Sequence, residues 1–383
     1  VSNTSLKELL LDTLRRNGPM TFERYMALCL YHPEFGYYAQ GRERTGVAGD
    51  YFTSSDLHPV FARLLARQAA EMWNALGRVR PFTWVEMGAG RGLFAADFLS
   101  WSADALPEFF AALDYVAIEP GCEQRQRIAA RVTDGGGGSK VRLFANLEEP
   151  PPLTGCFFSN ELVDAFPVNV VTRAGGRLKE IYVGAEGDSL CEKSGPISDP
   201  AVAAYVARYA HQLEEGHRME VNRHAEAWMH AVAAKLARGF VLTIDYGDMA
   251  NRLFSSDRPR GTLLTYRGHN AGEDFFTAPG ETDLTAHVNF SALIDTGKTE
   301  GLEFVGFTTQ ERFLLALGES NQFADMYDPG QTELEMLNAR LKLKRLISPE
   351  GMGNIFKILL QQRAVPGTEF TGLKFERPGG NSF

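Results

Sequence analysis

The chain has few of the residues that would mark a stapled or metal-built protein. Its 383 residues include only four cysteines, Cys29, Cys122, Cys156 and Cys191, and no Cys-x-x-Cys pair. This excludes a zinc knuckle and a disulfide framework as organising principles. His211, His217, His224 and His230 are spaced six, seven and six apart, so none supplies the i, i+4 pair of a helical metal site, and no metal is expected. No apolar stretch reaches the roughly 18 residues of a membrane span. Val1-Ser2-Asn3-Thr4 lacks the charged and apolar regions of a secretory signal. These absences lead to the expectation of a cytoplasmic protein that does not engage a membrane. Lys and Arg total 39 against 48 Asp and Glu, a net charge of −9, with no long basic run. A nucleic-acid partner is therefore not expected, and an acidic surface suits a cationic acceptor. The 44% hydrophobic and 23% charged content is that of a globular chain.

What is present concentrates around Val85-Glu86-Met87-Gly88-Ala89-Gly90-Arg91-Gly92-Leu93-Phe94. Pro81-Phe82-Thr83-Trp84-Val85 reads as a strand, and Leu93, Phe94, Phe98 and Leu99 recur at helical spacing. Between them, Gly88, Gly90 and Gly92 let the backbone turn sharply and approach a ligand, and the helix start offers N–H groups to an anionic group. A dinucleotide fingerprint requires a small residue at position 93; Leu93 argues against it. The pattern Glu-x-Gly-x-Gly-x-Gly, with Glu86 at the strand end, is similar to the first motif of class I S-adenosylmethionine methyltransferases.

The strands that follow place further candidates. Asp114–Ile118 ends at Glu119, a carboxylate suited to both hydroxyls of a ribose. Val141–Phe144 precedes Asn146, placed to meet an adenine edge. Cys156–Phe158 leads into Ser159-Asn160-Glu161-Leu162-Val163-Asp164. Ligands of open α/β sheets lie beyond the carboxyl ends of strands, so Asn160 is assigned to the cofactor and Glu161 and Asp164 to the acceptor. A fifth strand, Gly239–Gly247, carries Tyr246 as a pocket wall, and His287 is a candidate to orient the acceptor or take a proton. Thr53 and Ser54 are candidates for the amino-acid end of the cofactor. The organisation read from the chain is a helical segment and loop over 1–60, an α/β core over 61–183 and 239–383, and a mainly helical insertion over 184–238 that serves substrate or partner. Phe356–Leu360 closes the sheet, and the tail from Val365 is extended or loosely ordered.

Several blocks, in order, resemble one family. Gly18-Pro19-Met20-Thr21-Phe22-Glu23-Arg24-Tyr25-Met26 with Tyr31-His32-Pro33-Glu34-Phe35-Gly36-Tyr37-Tyr38, then Gly49–Ser55, Asn160-Glu161 with Asp164–Pro167, Asp245-Tyr246-Gly247, Tyr266–His269 and Asp283–Val288, are similar to the motifs of MidA-like methyltransferases. The chain departs from that pattern at Ser55-Asp56, Asn289 and Met352–Lys357. The resemblance implies a Rossmann-like class I methyltransferase core with a helical insertion and terminal additions. It also implies S-adenosyl-L-methionine as cofactor, S-adenosyl-L-homocysteine as product, and a protein with an accessible arginine as acceptor. A small-molecule O- or N-methyltransferase and a cofactor-binding assembly factor without turnover are the alternatives. A homodimer is possible.

Overall fold

The computed structural model describes residues 5–39, 46, 49–50 and 53–375. The opening Val1–Thr4, parts of the Gly/Ser-rich loop before Thr53, and the end of the tail lie outside the described residues. The chain forms two compact units, each assembled from three segments: Val1–Tyr51, Val163–Trp228 and Gly247–Leu293 in one, and Phe52–Leu162, Met229–Tyr246 and Ile294–Phe383 in the other.

The second of these holds the α/β core. Its strands are β1 (Phe82–Met87), β2 (Leu113–Ile118), β3 (Val141–Phe144), β4 (Leu153–Asn160), β5 (Leu236–Asp248), β6 (Glu303–Thr309) and β7 (Phe356–Arg363). They lie in the order β6-β7-β5-β4-β1-β2-β3. Neighbours from β5 through β3 are parallel, whereas β7 runs antiparallel to both β5 and β6. The chain reverses its direction of winding between β1 and β4, which places a ligand crevice outside their carboxyl ends. β1 is buried throughout, as an interior parallel strand covered on both faces must be. Leu93–Ala105 packs Phe94 and Phe98 onto it: Trp84 stacks on Phe98 at 5.0 Å and Phe94 on Phe158 at 4.6 Å. Burying each such ring contributes about 1.5–3 kcal/mol.

Glycine permits the central strands to close. Thr83, Gly155 and Gly239 are consecutive partners across β1, β4 and β5. A Cβ on Gly155 would stand 1.9 Å from the Thr83 carbonyl oxygen, and one on Gly239 would stand 1.9 Å from the Gly155 carbonyl oxygen.

The tail is better anchored than its composition suggests. Phe370 is buried and meets Phe240 edge-on at 5.3 Å, and the Gly372 N–H donates to Gln68 Oε1 at 3.0 Å. The expectation of a loose tail is therefore corrected as far as Phe375.

The other unit contains a five-stranded antiparallel sheet. Asn169–Ala174 and Arg177–Glu186 are central, flanked by Arg218–Val221, Ser189–Gly195 and Met20–Thr21. Helices Leu6–Asn17 and Phe22–Tyr31 share a core with Val168, Val170, Ile181 and Val183. Thr21 caps the second helix, accepting from the Arg24 N–H at 3.2 Å. The mainly helical reading of 184–238 is corrected: strands Ser189–Gly195 and Arg218–Val221 alternate with helices Pro200–Tyr209 and Arg223–Lys235. Pairing with Arg177–Glu186 makes Ser189–Gly195 a strand and pairing with Asn169–Ala174 makes Arg218–Val221 one, which helical spacing does not reveal; the alanine-rich stretches form the two helices.

Because two neighbours meet at the Gly155 backbone, Gly155→Ala is expected to lower stability by at least about 3 kcal/mol, in the tail of single-substitution effects. A denaturant titration checks this; a loss below about 1 kcal/mol would show that the strands can part at little cost.

Candidate active site

The turn after β1 is built as its glycines require. Gly88, Gly90 and Gly92 have φ of 72°, 50° and 70°, a region that side-chain-bearing residues rarely adopt. Gly92 is the N-cap of Leu93–Ala105, and no side chain caps that helix, so its first-turn donors are left for another acceptor. A Cβ on Gly90 would meet the Gly88 carbonyl oxygen at 3.9 Å, an ordinary contact, so it is the positive φ that calls for glycine there. Glu119, immediately after β2, holds the turn from the side: its Oε2 accepts from the Gly90 N–H at 3.0 Å and its Oε1 from the Gly121 N–H at 3.2 Å.

Glu86 sits beneath this turn, 6% exposed. The Tyr115 hydroxyl donates to its Oε2 at 2.6 Å. Burial pushes the Glu86 carboxyl up to about 8; the Tyr115 hydrogen bond opposes the rise and the Glu119 charge adds to it. Glu86 thus keeps its proton at neutral pH.

The end of β4 is the most constrained point. Glu161 adopts φ 53°, a left-handed conformation costing a non-glycine residue on the order of 1–3 kcal/mol. Four hydrogen bonds hold it there. The Glu161 N–H donates to the Ile244 carbonyl at 3.0 Å, and the Leu162 N–H donates to Asp245 Oδ2 at 3.2 Å. Glu161 Oε1 accepts from the Ser54 N–H at 3.1 Å and from Asn160 Nδ2 at 3.0 Å. Asn160 Oδ1 is buried and accepts no hydrogen bond. An uncompensated buried carbonyl is costly, so this atom fits a ligand donor. The uncapped helix start, the Glu119 carboxylate and Asn160 Oδ1 are of the donor and acceptor types that the carboxylate, ribose and ammonium of S-adenosylmethionine require.

Other expected residues have more local partners. Thr53 caps the short helix Ser54–Leu57 and exchanges bonds with Asp56. The Ser54 hydroxyl donates to Gln310 Oε1 at 3.1 Å. Asn146 is exposed, and its Oδ1 accepts from the Glu148 and Glu149 N–H groups at 3.0 and 3.3 Å. Tyr246 is half-buried and meets the Phe356 ring edge-on at 5.2 Å. Asp164 and His287 belong to the other unit. There the Asp164 carbonyl accepts from the Ala286 N–H at 3.0 Å. The His287 N–H donates to Thr262 Oγ1 at 3.0 Å, and Arg258 donates to His287 Nδ1 at 3.3 Å.

Three further residues, given no site role by the sequence, hold this geometry. Asp245 is fully buried and ties the β4 turn to β5; its signal is a lone acid ending an apolar strand. Tyr115, which bonds Glu86, reads only as core. Asp56 pairs with Arg91 of the glycine turn at 3.3 Å and occupies one of the positions where the chain departs from the MidA-like pattern.

A carboxyl raised above its ordinary 4.5 retains a proton that the unfolded chain has lost. Its stabilising contribution is complete below 4.5 and is lost as the pH rises toward about 8. Glu86→Gln is therefore expected to flatten the decline in Tm over that interval and to unfold at a higher temperature than the unsubstituted chain at its upper end. Ligand-free thermal melts across the interval check this; an unchanged slope would mean that Glu86 is ionised in the folded chain.

Comparison with known proteins identifies the family. The family model "Putative S-adenosyl-L-methionine-dependent methyltransferase" matches residues 64–308. A COG1565 superfamily member from Burkholderia thailandensis, crystallised bound to S-adenosyl-homocysteine, superposes with a TM-score of 0.88. It is 30% identical, over 98% of this chain and 95% of that one. Protein arginine methyltransferase NDUFAF7, mitochondrial, from Danio rerio is 26% identical over 93% of this chain and 86% of its own length. Its Homo sapiens counterpart is 25% identical over 95% and 85%. These relatives are mitochondrial proteins, which overturns the expectation of a cytoplasmic one. The chain is a member of the MidA-like, COG1565 family of S-adenosyl-L-methionine-dependent methyltransferases.

Proposed function

We propose that the chain methylates an arginine side chain of a protein substrate and that Glu161 is the carboxylate that orients the guanidinium. The observation carrying this reading is the strained, four-bond anchorage of Glu161 beside the glycine turn. Strain of this kind persists where surrounding bonds over-determine it, and it concentrates at functional sites. A carboxylate fixed in this way presents a charged acceptor of set orientation to a guanidinium. The relatives named as protein arginine methyltransferases support the acceptor class, as does the net charge of −9.

When bound, S-adenosylmethionine supplies a methyl group already activated on its sulfonium. The protein's task is then to place the acceptor and exclude water. Glu119 would hold the ribose hydroxyls, the first turn of Leu93–Ala105 would receive the carboxylate, and Asn160 Oδ1 would accept from the ammonium. Glu161 orients the guanidinium and accepts the proton it releases. Glu86, neutral, supports the floor of the turn.

The other candidates take altered parts. Thr53 and Ser54 build the turn that carries the Ser54 N–H to Glu161, and Asn146 shapes the loop after β3. Tyr246 packs against Phe356. Asp164 secures the chain before His287 through its carbonyl. An imidazole whose Nδ1 receives a guanidinium N–H carries its own proton on Nε2, so His287 acts as a donor and not as the base.

Calorimetric titration with S-adenosylhomocysteine, beside transfer of labelled methyl to lysate protein, tests the assignment. Gly90→Arg is expected to abolish binding. Glu161→Gln is expected to retain affinity within about threefold while transfer falls at least about 100-fold, the scale of losing an orienting charge. Transfer that survives in Glu161→Gln would contradict the role given to this carboxylate.

A further inference from the structure

Five of the sequence blocks given above meet at one place in the unit that holds the antiparallel sheet. Tyr31, Tyr37 and Tyr38 come from the first of them. The Tyr37 hydroxyl donates to Asp50 Oδ2 at 2.8 Å, and the Tyr38 hydroxyl to Asp283 Oδ1 at 3.1 Å. The Tyr31 hydroxyl donates to the Ala165 carbonyl at 2.9 Å. Asp50 Oδ1 in turn accepts from the Gly268 N–H at 2.7 Å. The function argued above uses none of the three tyrosines.

These bonds fix the rings as a stack. Tyr37 meets Tyr38 edge-on at 5.2 Å, and Tyr38 lies against the face of Tyr31 at 5.5 Å, the two planes 22° apart. Tyr38 is half-buried, whereas Tyr31 is 45% exposed, more than any other aromatic ring among the described residues. With one face on Tyr38 and its hydroxyl tied to Ala165, Tyr31 turns its other face to solvent. A single exposed ring is ordinary. One that is stacked from behind and held at its hydroxyl is a rigid platform, which binds without the cost of ordering a side chain.

The charges felt at that platform are of one sign. Burial raises the Tyr31 hydroxyl above its ordinary range, and the Asp283 and Asp164 carboxylates raise it further. Both carboxylates belong to buried residues, where Coulomb interactions carry further than in water. The face of a tyrosine ring attracts a cation by its quadrupole. Between the two cationic side chains, the planar and weakly hydrated guanidinium stacks on such a face, and the compact ammonium does not.

We propose that the open face of Tyr31 is a recognition site for an arginine side chain of the protein substrate, seated by stacking and held by the Asp164 and Asp283 charges. The proposal rests on the reading that the substrate is a protein presenting arginine. It assigns binding and not chemistry to Tyr31.

Calorimetric titration of the full chain, saturated with S-adenosylhomocysteine, against a peptide of alternating glycine and arginine tests this. The control is the same peptide with citrulline for arginine, which keeps the planar shape and lacks the charge. The parent chain is expected to bind the arginine peptide at least about tenfold more tightly than the citrulline peptide. Tyr31→Leu is expected to weaken the arginine peptide about tenfold. Tyr31→Phe, which keeps the ring, is expected to weaken it by no more than about threefold. Both variants are expected to keep the parent's S-adenosylhomocysteine affinity and melting temperature. Equal binding of the two peptides by the parent, unchanged binding in Tyr31→Leu, or a Tyr31→Phe as weak as Tyr31→Leu would each overturn the proposal. A chain that binds the peptide through Tyr31 and methylates no arginine would uphold this site while contradicting the acceptor reading on which Glu161 was assigned.

Discussion

The pairing of β4 on both sides is the constraint from which the site derives its shape. β1 and β5 grip it along its length, and the contact is close enough that Gly155 and Gly239 admit no side chain. Where the ladder ends, the hold continues: the Glu161 N–H reaches the Ile244 carbonyl and the Leu162 N–H reaches Asp245. The chain can then leave the sheet through a left-handed residue, at a local cost that these bonds offset. A looser β4 would let Glu161 relax to ordinary backbone angles and turn its carboxylate away from the Ser54 N–H.

Two acids near the glycine turn are differentiated by their surroundings. Glu86 is buried, bonded to one hydroxyl, and pushed up to about 8. Glu119 lies at the strand end, where two backbone N–H groups supply charge-assisted bonds. Two ionised carboxylates so close would repel; a neutral Glu86 leaves the charge to the acid at the strand end. The same division keeps the floor of the turn apolar enough to pack and its rim polar enough to bind.

Much of this core is legible in the sequence because its signals are local. Apolar runs bounded by glycine or acid give β1 to β5 and β7 at nearly their observed positions, and the Gly-x-Gly-x-Gly spacing allows few conformations besides the observed turn. The MidA-like blocks add the order of motifs that single windows lack. What escapes depends on partners distant in the chain. Ser189–Gly195 is a strand because Arg177–Glu186 lies beside it. Phe370 is docked because Phe240 is there to receive it. Thr53 and Asn146 have the residue types of ligand contacts and also of turns and caps, and only the fold distinguishes the two. The Asp245 tie to Leu162 joins residues 83 positions apart, and no spacing rule reaches that far.

That the acceptor is a protein arginine is tested most directly by chemistry. Lysate proteins incubated with the purified chain and S-adenosylmethionine labelled in the methyl group can be hydrolysed and separated into amino acids. The label is expected in methylated arginine. Label confined to other amino acids or to the small-molecule fraction would contradict it, leaving the fold and the cofactor in place and the guanidinium reading without support.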